Sequence, residues 1–186
     1  VTERIPVTED AFTRAHPDCG HPEWWHATDA QSTEIEVTEL VAAFVRAIQP
    51  DYCIETGSCW GQTSEAIGRA LQANGHGRLD TLEPDPRRAA VARSRCEGLP
   101  VTVHEVRSLE FVPTGPIHLA WLDSLLDLRV PEYHYLRPWM RPGTVVGFHD
   151  TASHHGVYGE HVRALPGVGI IHLKTPRGVT FAQVKE

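Results

Sequence analysis

The sequence predicts an α/β fold: a mostly parallel sheet flanked by helices and finished by an antiparallel hairpin. Three observations carry this reading. Short apolar runs alternate with helical segments of roughly 10 to 15 residues, the pattern of βαβ units. The first apolar run ends in a glycine-containing turn, "ETGSCWGQTS", directly before a helical segment. Near the end of the chain, "GIIHLK" and "GVTFAQV" face each other across Thr175-Pro176-Arg177, the spacing of a hairpin.

The elements follow in order. Residues 1–32 hold Pro, Cys, three His and the pair Trp24-Trp25 without periodicity, and read as an irregular or briefly helical lid or arm before a domain over 33–186. Thr33 and Glu36 have capping-box spacing, and Val37, Leu40, Val41, Phe44, Val45 and Ile48 share one helical face that ends before Pro50. The strand "YCIET" comes next, then a helix from about Thr63 to Leu71 that stops near Asn74-Gly75. "RLDTLEPDP" reads as strand and turn, "RRAAVARSRCEGL" as a helix closed by Gly98, and "VTVHEV" and "IHLAWLD" as the next two strands. "VPEYHYLRPWM" is a helix that runs into an Arg-Pro-Gly turn, "TVVGFHD" a fifth strand, and "GEHVRAL" the end of a short helix before the hairpin.

Composition narrows the class. A chain of 186 residues, 41% hydrophobic, is long enough for one well-buried core and short for two enzyme domains. A formal net charge of −7, with no dense run of Lys or Arg, argues against nucleic acid as a partner. No stretch approaches the roughly 20 apolar residues of a membrane span, and the opening "VTERIPVTED" is charged, so a cytoplasmic location is expected. Cys19, Cys53, Cys59 and Cys96 form no CxxC pair and are expected as free thiols. A homodimer that completes the pocket of so short a chain stays open.

The glycine turn limits the ligand. Gln62 stands where a phosphate-binding loop needs Lys, and Cys59 and Gln62 replace the second and third glycines of a dinucleotide fingerprint. Gly57 allows a sharp turn and close backbone approach, Gly61 close helix packing, and Glu55 disfavours phosphate while suiting a cationic group. Glu83 ends the second strand, where a carboxylate can accept both hydroxyl protons of a ribose; a solvated loop residue is the other reading.

With these residues in place the chain resembles a class I S-adenosylmethionine-dependent methyltransferase. It is similar to the small-molecule O-methyltransferases of the catechol O-methyltransferase-like type over roughly Glu34 to the C-terminus. The resemblance implies a Rossmann-like, mostly parallel seven-stranded sheet with a C-terminal antiparallel hairpin. "ETGSCWGQTS" stands for the family's ExGxxxGxS, with Thr63 at the usual serine position. By resemblance, Glu55, Gly57, Ser58 and Gly61 line the methionine part of S-adenosyl-L-methionine, Glu83 binds the ribose, and Arg107-Ser108 flank the adenine. Asp123 also borders the cofactor.

The stretch "LDSLLDLRVPEYHYLRPWMRPGTVVGFHDTA" resembles the family's two aspartate-ended strands. Asp123 and Asp150 match two family metal ligands, while Thr151 stands at the third and Leu126 at the catalytic lysine. "FHDT" is closer to a related subgroup of sugar and antibiotic O-methyltransferases. A divalent ion, Mg²⁺ or Mn²⁺, on Asp123 and Asp150 with His149 as a third ligand is one expectation. Proton transfer by Asp150, His149 or His154, with His155 beside it, is the other. Successive strand residues point to opposite faces, so His149 and Asp150 converge only if the chain leaves the extended form there.

The activity implied is methylation of a small-molecule hydroxyl, on a natural product or sugar. A cofactor-binding module without catalysis and a metal-dependent hydrolase are the alternatives. His16, Cys19, His21 and His26 match no standard zinc spacing. Trp24-Trp25 reads either as a cover over an aromatic or sugar-like substrate or as a strap on the core.

Overall fold

A computed structural model describes residues 5–6 and 19–185. Outside the main sheet, β1 (Ile5–Pro6) pairs antiparallel with β2 (His26–Ala27). Helix α1 (Ile35–Ile48) begins one turn of chain later. It turns its apolar stripe, Val37, Val41 and Val45, inward.

The capping box expected of Thr33 and Glu36 does not form. Glu34 occupies the N-cap position without a side-chain cap. Thr33 turns its hydroxyl to Asp123, and Glu36 receives the backbone N–H of His26 at 2.9 Å. Tertiary partners have taken both side chains that a local cap would use.

The main sheet is built from β3 (Tyr52–Thr56), β4 (Arg78–Leu82), β5 (Val101–His104), β6 (Ile117–Leu122), β7 (Met140–His149), β8 (Val168–Leu173) and β9 (Val179–Val184). Their spatial order is β5-β4-β3-β6-β7-β9-β8. Strands β3 to β7 run parallel to one another, whereas β9 runs antiparallel to both β7 and β8, as the hairpin expectation requires. Four helices fill the connections: α2 (Gln62–Asn74), α3 (Pro86–Arg95), α4 (Arg129–Leu136) and α5 (Tyr158–Arg163). The Arg-Pro-Gly stretch, expected as a turn, instead lies inside the ten-residue β7.

Alternation along the strands divides the core in two. On one face Cys53, Leu119, Trp121 and Phe181 pack with α1 and α2 residues such as Val41, Ile67 and Leu71. On the other, Ile54, Leu122, Val146 and Phe148 pack with Tyr133, Leu136 and Val162. Trp121 lies so close to β7 that a Cβ on Gly147 would come within 2.4 Å of its ring. Strand order reverses between β3 and β6, and at such a switch point the carboxyl ends of the strands leave a crevice for a ligand. Among the described residues no helix is long and apolar enough to cross a membrane.

Candidate active site

The crevice begins at the glycine turn after β3. The N–H of Gly57 donates to Leu82 O at 2.9 Å and that of Asp123 to Thr56 O at 3.0 Å, which ties together the ends of β4, β3 and β6. Gly57 has φ +79°, and a Cβ there would lie 2.5 Å from the Asp123 carbonyl oxygen. Only glycine fits. Gly61 serves packing: its Cβ would stand 2.8 Å from Ala92 Cα in α3, so it brings helices together and does not line the crevice as expected.

Glu83 is fixed at the end of β4. One carboxylate oxygen accepts the Cys59 N–H at 2.9 Å and the other the Asp85 N–H at 3.0 Å. Each oxygen keeps a further lone pair, so the carboxylate is oriented but not used up. Arg107 and Ser108 follow β5, whose end is tied to Glu83 through the Glu83 N–H and His104 O at 3.0 Å.

Glu55 departs from expectation. It is buried against α2 and β4, where Ser64 and Thr81 donate to its carboxylate, and so it does not border the cleft. Burial pushes its pKa up to about 7 despite those hydrogen bonds.

A cleft of about 30 Å³ lies between the turn and the chain before α1, bordered by Thr33, Gly57, Ser58, Gln62, Thr63 and Asp123. The hydroxyl of Ser58 is buried there without a hydrogen-bond partner. Gln31, Ser32 and Thr33 form the other wall. Thr28 Oγ1 donates to Gln62 Oε1 at 2.7 Å, Gln62 Nε2 to Thr33 O at 2.9 Å, and Thr33 Oγ1 to Asp123 Oδ2 at 2.7 Å. The last residues of the 1–32 segment, Gln31 and Ser32, thus border the cleft, and Thr28 and Thr33 tie this stretch to Gln62 and Asp123 across about 30 to 90 residues of chain.

Beside this cleft, the ends of β6 and β7 carry a charge cluster. The chain does leave the extended form after His149: Asp150 has φ +56°, and its carboxylate comes back to 3.6 Å from His149 Nδ1. Potential ligand atoms of Asp123, His149 and Asp150 lie within 4.8 Å of one another, as the sequence reading expected of a metal site. The seat between them is filled. Arg129 Nη2 lies 3.0 Å from Asp123 Oδ1 and 2.9 Å from Asp150 Oδ2, while Arg177 Nε is 2.7 Å from Asp150 Oδ1. His149 Nδ1 is 3.1 Å from Asp123, and its Nε2 is 2.6 Å from Glu34.

Three carboxylates thus meet two guanidinium groups and an imidazole. Burial opposes charge on His149, but Asp123, Asp150 and Glu34 outweigh it and push its pKa up to about 10. Burial likewise opposes ionisation of Asp150, yet His149, Arg177 and Arg129 hold it well below the usual carboxylate range. His149 is fully buried with both ring nitrogens engaged, so it is not placed to take a proton from a substrate, one of the roles the sequence suggested.

His154, another proton-transfer candidate, packs ring to ring on His155 at 4.1 Å. It is His155 that approaches Asp150, at 3.5 Å. Burial drives His155 down to about 4 against the pull of Asp150. Thr151, at the expected third metal position, points into the hairpin and accepts a hydrogen bond from Thr180 at 2.9 Å. Leu126, where the family lysine would stand, packs on the core.

Sequence reasoning missed Glu34, Arg129 and Arg177. Charged and polar residues flank all three in the sequence, so nothing local singles them out or says where they point. Of the leader histidines, His21 pairs with Glu23 and His26 with Glu36, while His16 lies outside the described residues. Trp24 is exposed and stacks on His21, whereas Trp25 is half-buried. All four cysteines are free.

Comparison with known families adds the identity of the domain. A family model described as a methyltransferase domain matches residues 54–151, just over half of the chain, from within β3 to the residue after Asp150. The chain belongs to this methyltransferase family. No curated protein matches the methyltransferase at the level of sequence. Solved structures share its fold. An O-methyltransferase from Bacillus cereus, determined in complex with S-adenosylhomocysteine, superposes with a TM-score of 0.71 at 20% identity, covering 84% of each chain. The O-methyltransferase TomG from Streptomyces achromogenes, involved in tomaymycin synthesis and determined with S-adenosylmethionine, gives 0.70 at 23% identity over 84% of this chain and 83% of its own. A Podospora anserina methyltransferase bound to S-adenosylhomocysteine gives 0.74 at 13% identity over 84% and 81%.

Proposed function

We propose that this methyltransferase transfers the methyl group of S-adenosylmethionine to a hydroxyl of a small molecule. The observation that carries the reading is the pairing of an oriented but unsaturated Glu83 carboxylate with a partnerless buried Ser58 hydroxyl, both at the glycine turn. A buried hydroxyl without a partner costs stability, and a ligand carboxylate or ammonium would relieve that cost. When bound, the cofactor supplies an electrophilic methyl on sulfur.

The chain's residues would do the rest. Ser58 and Thr63, with the turn backbone, hold the amino-acid end, Glu83 accepts the ribose hydroxyls, and Arg107-Ser108 border the base. Asp123, which lines the cleft, positions the acceptor side through Thr33. Methyl transfer is an in-line displacement, so alignment of donor and acceptor is the main catalytic task. Gln31, Ser32 and Thr33 face the glycine turn across the cleft, so this end of the arm would lie over the amino-acid end of a bound cofactor and help to exclude solvent. That gives the arm the role of a lid. The fold neighbours named as O-methyltransferases support oxygen as the acceptor atom.

Calorimetry with S-adenosylhomocysteine tests the reading. The intact protein should bind it, and Glu83→Gln, which loses charge-assisted hydrogen bonds of about 1.5 to 3 kcal/mol, should bind at least tenfold more weakly. Binding of NAD or ATP with no response to S-adenosylhomocysteine would refute it.

A further inference from the structure

The charge cluster at the ends of β6 and β7 is built like a metal site but filled like an ion-pair network. Mg²⁺ or Mn²⁺ needs free oxygen lone pairs near 2.1 Å in close to octahedral array. Here Asp123 Oδ1 already faces His149 Nδ1 and Arg129 Nη2, and Asp150 Oδ2 faces Arg129 Nη2 and, at 3.2 Å, Arg177 Nη2. Asp150 Oδ1 lies 2.7 Å from Arg177 Nε in an ion pair without hydrogen-bond alignment, and the second nitrogen of His149 is engaged by Glu34.

Arg129 has no room to leave. Its side chain is 4% exposed, its Nε donates to Ser124 O at 2.8 Å and its Nη1 to His149 O, and the Tyr158 ring lies 5.6 Å from its guanidinium carbon. Arg129 and Arg177 already place two guanidinium groups against Asp123 and Asp150. A dication between the two carboxylates would meet the like charge of Arg129 at close range in a buried site, where repulsion is poorly screened.

We propose that Arg129 is the resident cation of this site, seated between Asp123 and Asp150 where a divalent metal would need to bind, so that methyl transfer here proceeds without a metal. The inference rests on the methyltransferase reading and deepens it. Arg129 acts as a positioning residue. By gripping both carboxylates and the carbonyls of Ser124 and His149, it holds the two strand ends that border the cleft and keeps Asp150 in its left-handed conformation.

Mn²⁺ titration of the full chain, followed by electron paramagnetic resonance with and without S-adenosylhomocysteine, tests this. The wild-type protein should leave Mn²⁺ free up to about 1 mM. One Mn²⁺ per chain with a dissociation constant below about 100 µM, lost in Asp150→Asn, would overturn the proposal. Arg129→Met, which opens the seat and leaves one carboxylate charge in excess, should bind Mn²⁺ about tenfold or more tightly than wild type. A folded Arg129→Met that gains no affinity would overturn the assignment of the seat to Arg129. Where that variant fails to fold, the wild-type titration alone decides. Failure of the methyltransferase reading would show separately, as absent S-adenosylhomocysteine binding, because the titration without that ligand reads the metal seat directly.

Discussion

The two halves of the crevice are built on opposite electrostatic plans. On the β4 side, the glycine turn and Glu83 present polar groups that are oriented but unfinished: a carboxylate with spare lone pairs and a buried hydroxyl with no partner. On the β7 side, each carboxylate of Asp123, Asp150 and Glu34 is met by Arg129, Arg177 or His149. The first half is open to a ligand, whereas the second is crossed by ion pairs, in which Asp150 Oδ1 and Arg177 Nε lie 2.7 Å apart without forming a hydrogen bond. A cluster of Asp and His is therefore no evidence of an open cation site until the neighbouring guanidinium groups have been located.

Three substitutions test this contrast. Arg129→Ala should have the largest effect, because it strands two buried carboxylates; breaking a buried pair in this way costs about 3 to 5 kcal/mol. Urea unfolding followed by circular dichroism would measure it, and a loss under about 1 kcal/mol would mean that Arg177 and His149 suffice. On the ligand side, Gly57→Ala should cost on the order of 1 to 3 kcal/mol, since φ +79° is strained for a side chain and the new Cβ would press on the Asp123 carbonyl. Its mark should be weakened S-adenosylhomocysteine binding by calorimetry, whereas Arg129→Ala acts first on stability.

The smallest effect is a pH slope. Glu55 is raised from the ordinary 4.5 to about 7, chiefly by burial. A carboxyl group shifted upward favours the folded state fully below its unfolded pKa, and that contribution falls as pH rises from about 4.5 through 7. The slope from this one group cannot exceed about 1.4 kcal/mol per pH unit. Glu55→Gln should flatten the fall in unfolding free energy over that range, and an unchanged profile would show that Glu55 ionises freely in the folded protein.

Much of the architecture was legible because it rests on local pattern. The strand "YCIET", the stop at Asn74-Gly75, and the facing segments "GIIHLK" and "GVTFAQV" appear in the structure close to where periodicity and turn residues placed them. The condition set on His149 and Asp150, convergence only through a break in the strand, is met by the positive φ of Asp150. The capping box was misread for the converse reason. Thr33 and Glu36 have the correct local spacing, but Asp123 and His26 compete for their side chains from outside the helix. Glu55 likewise satisfied a motif by position, while its side chain turned to α2 and β4.

By itself, then, the sequence determined the order of strands and helices, the glycine turn, and the carboxylates Glu83, Asp123 and Asp150 at strand ends. Each follows from short-range periodicity and from backbone conformations that only a few residue types accept. Only the tertiary structure decided which charges pair. Glu34 reaches His149 across 115 residues and the Arg177 N–H across 143, and Arg129 meets Asp150 across 21. Coulomb energy depends on separation in space and on burial, neither of which is written in the spacing of residues along the chain. The same Asp-His-Asp set can be an open metal seat or an ion-pair network, and here it is the tertiary placement of Arg129, 3.0 Å from Asp123 and 2.9 Å from Asp150, that bears on the difference.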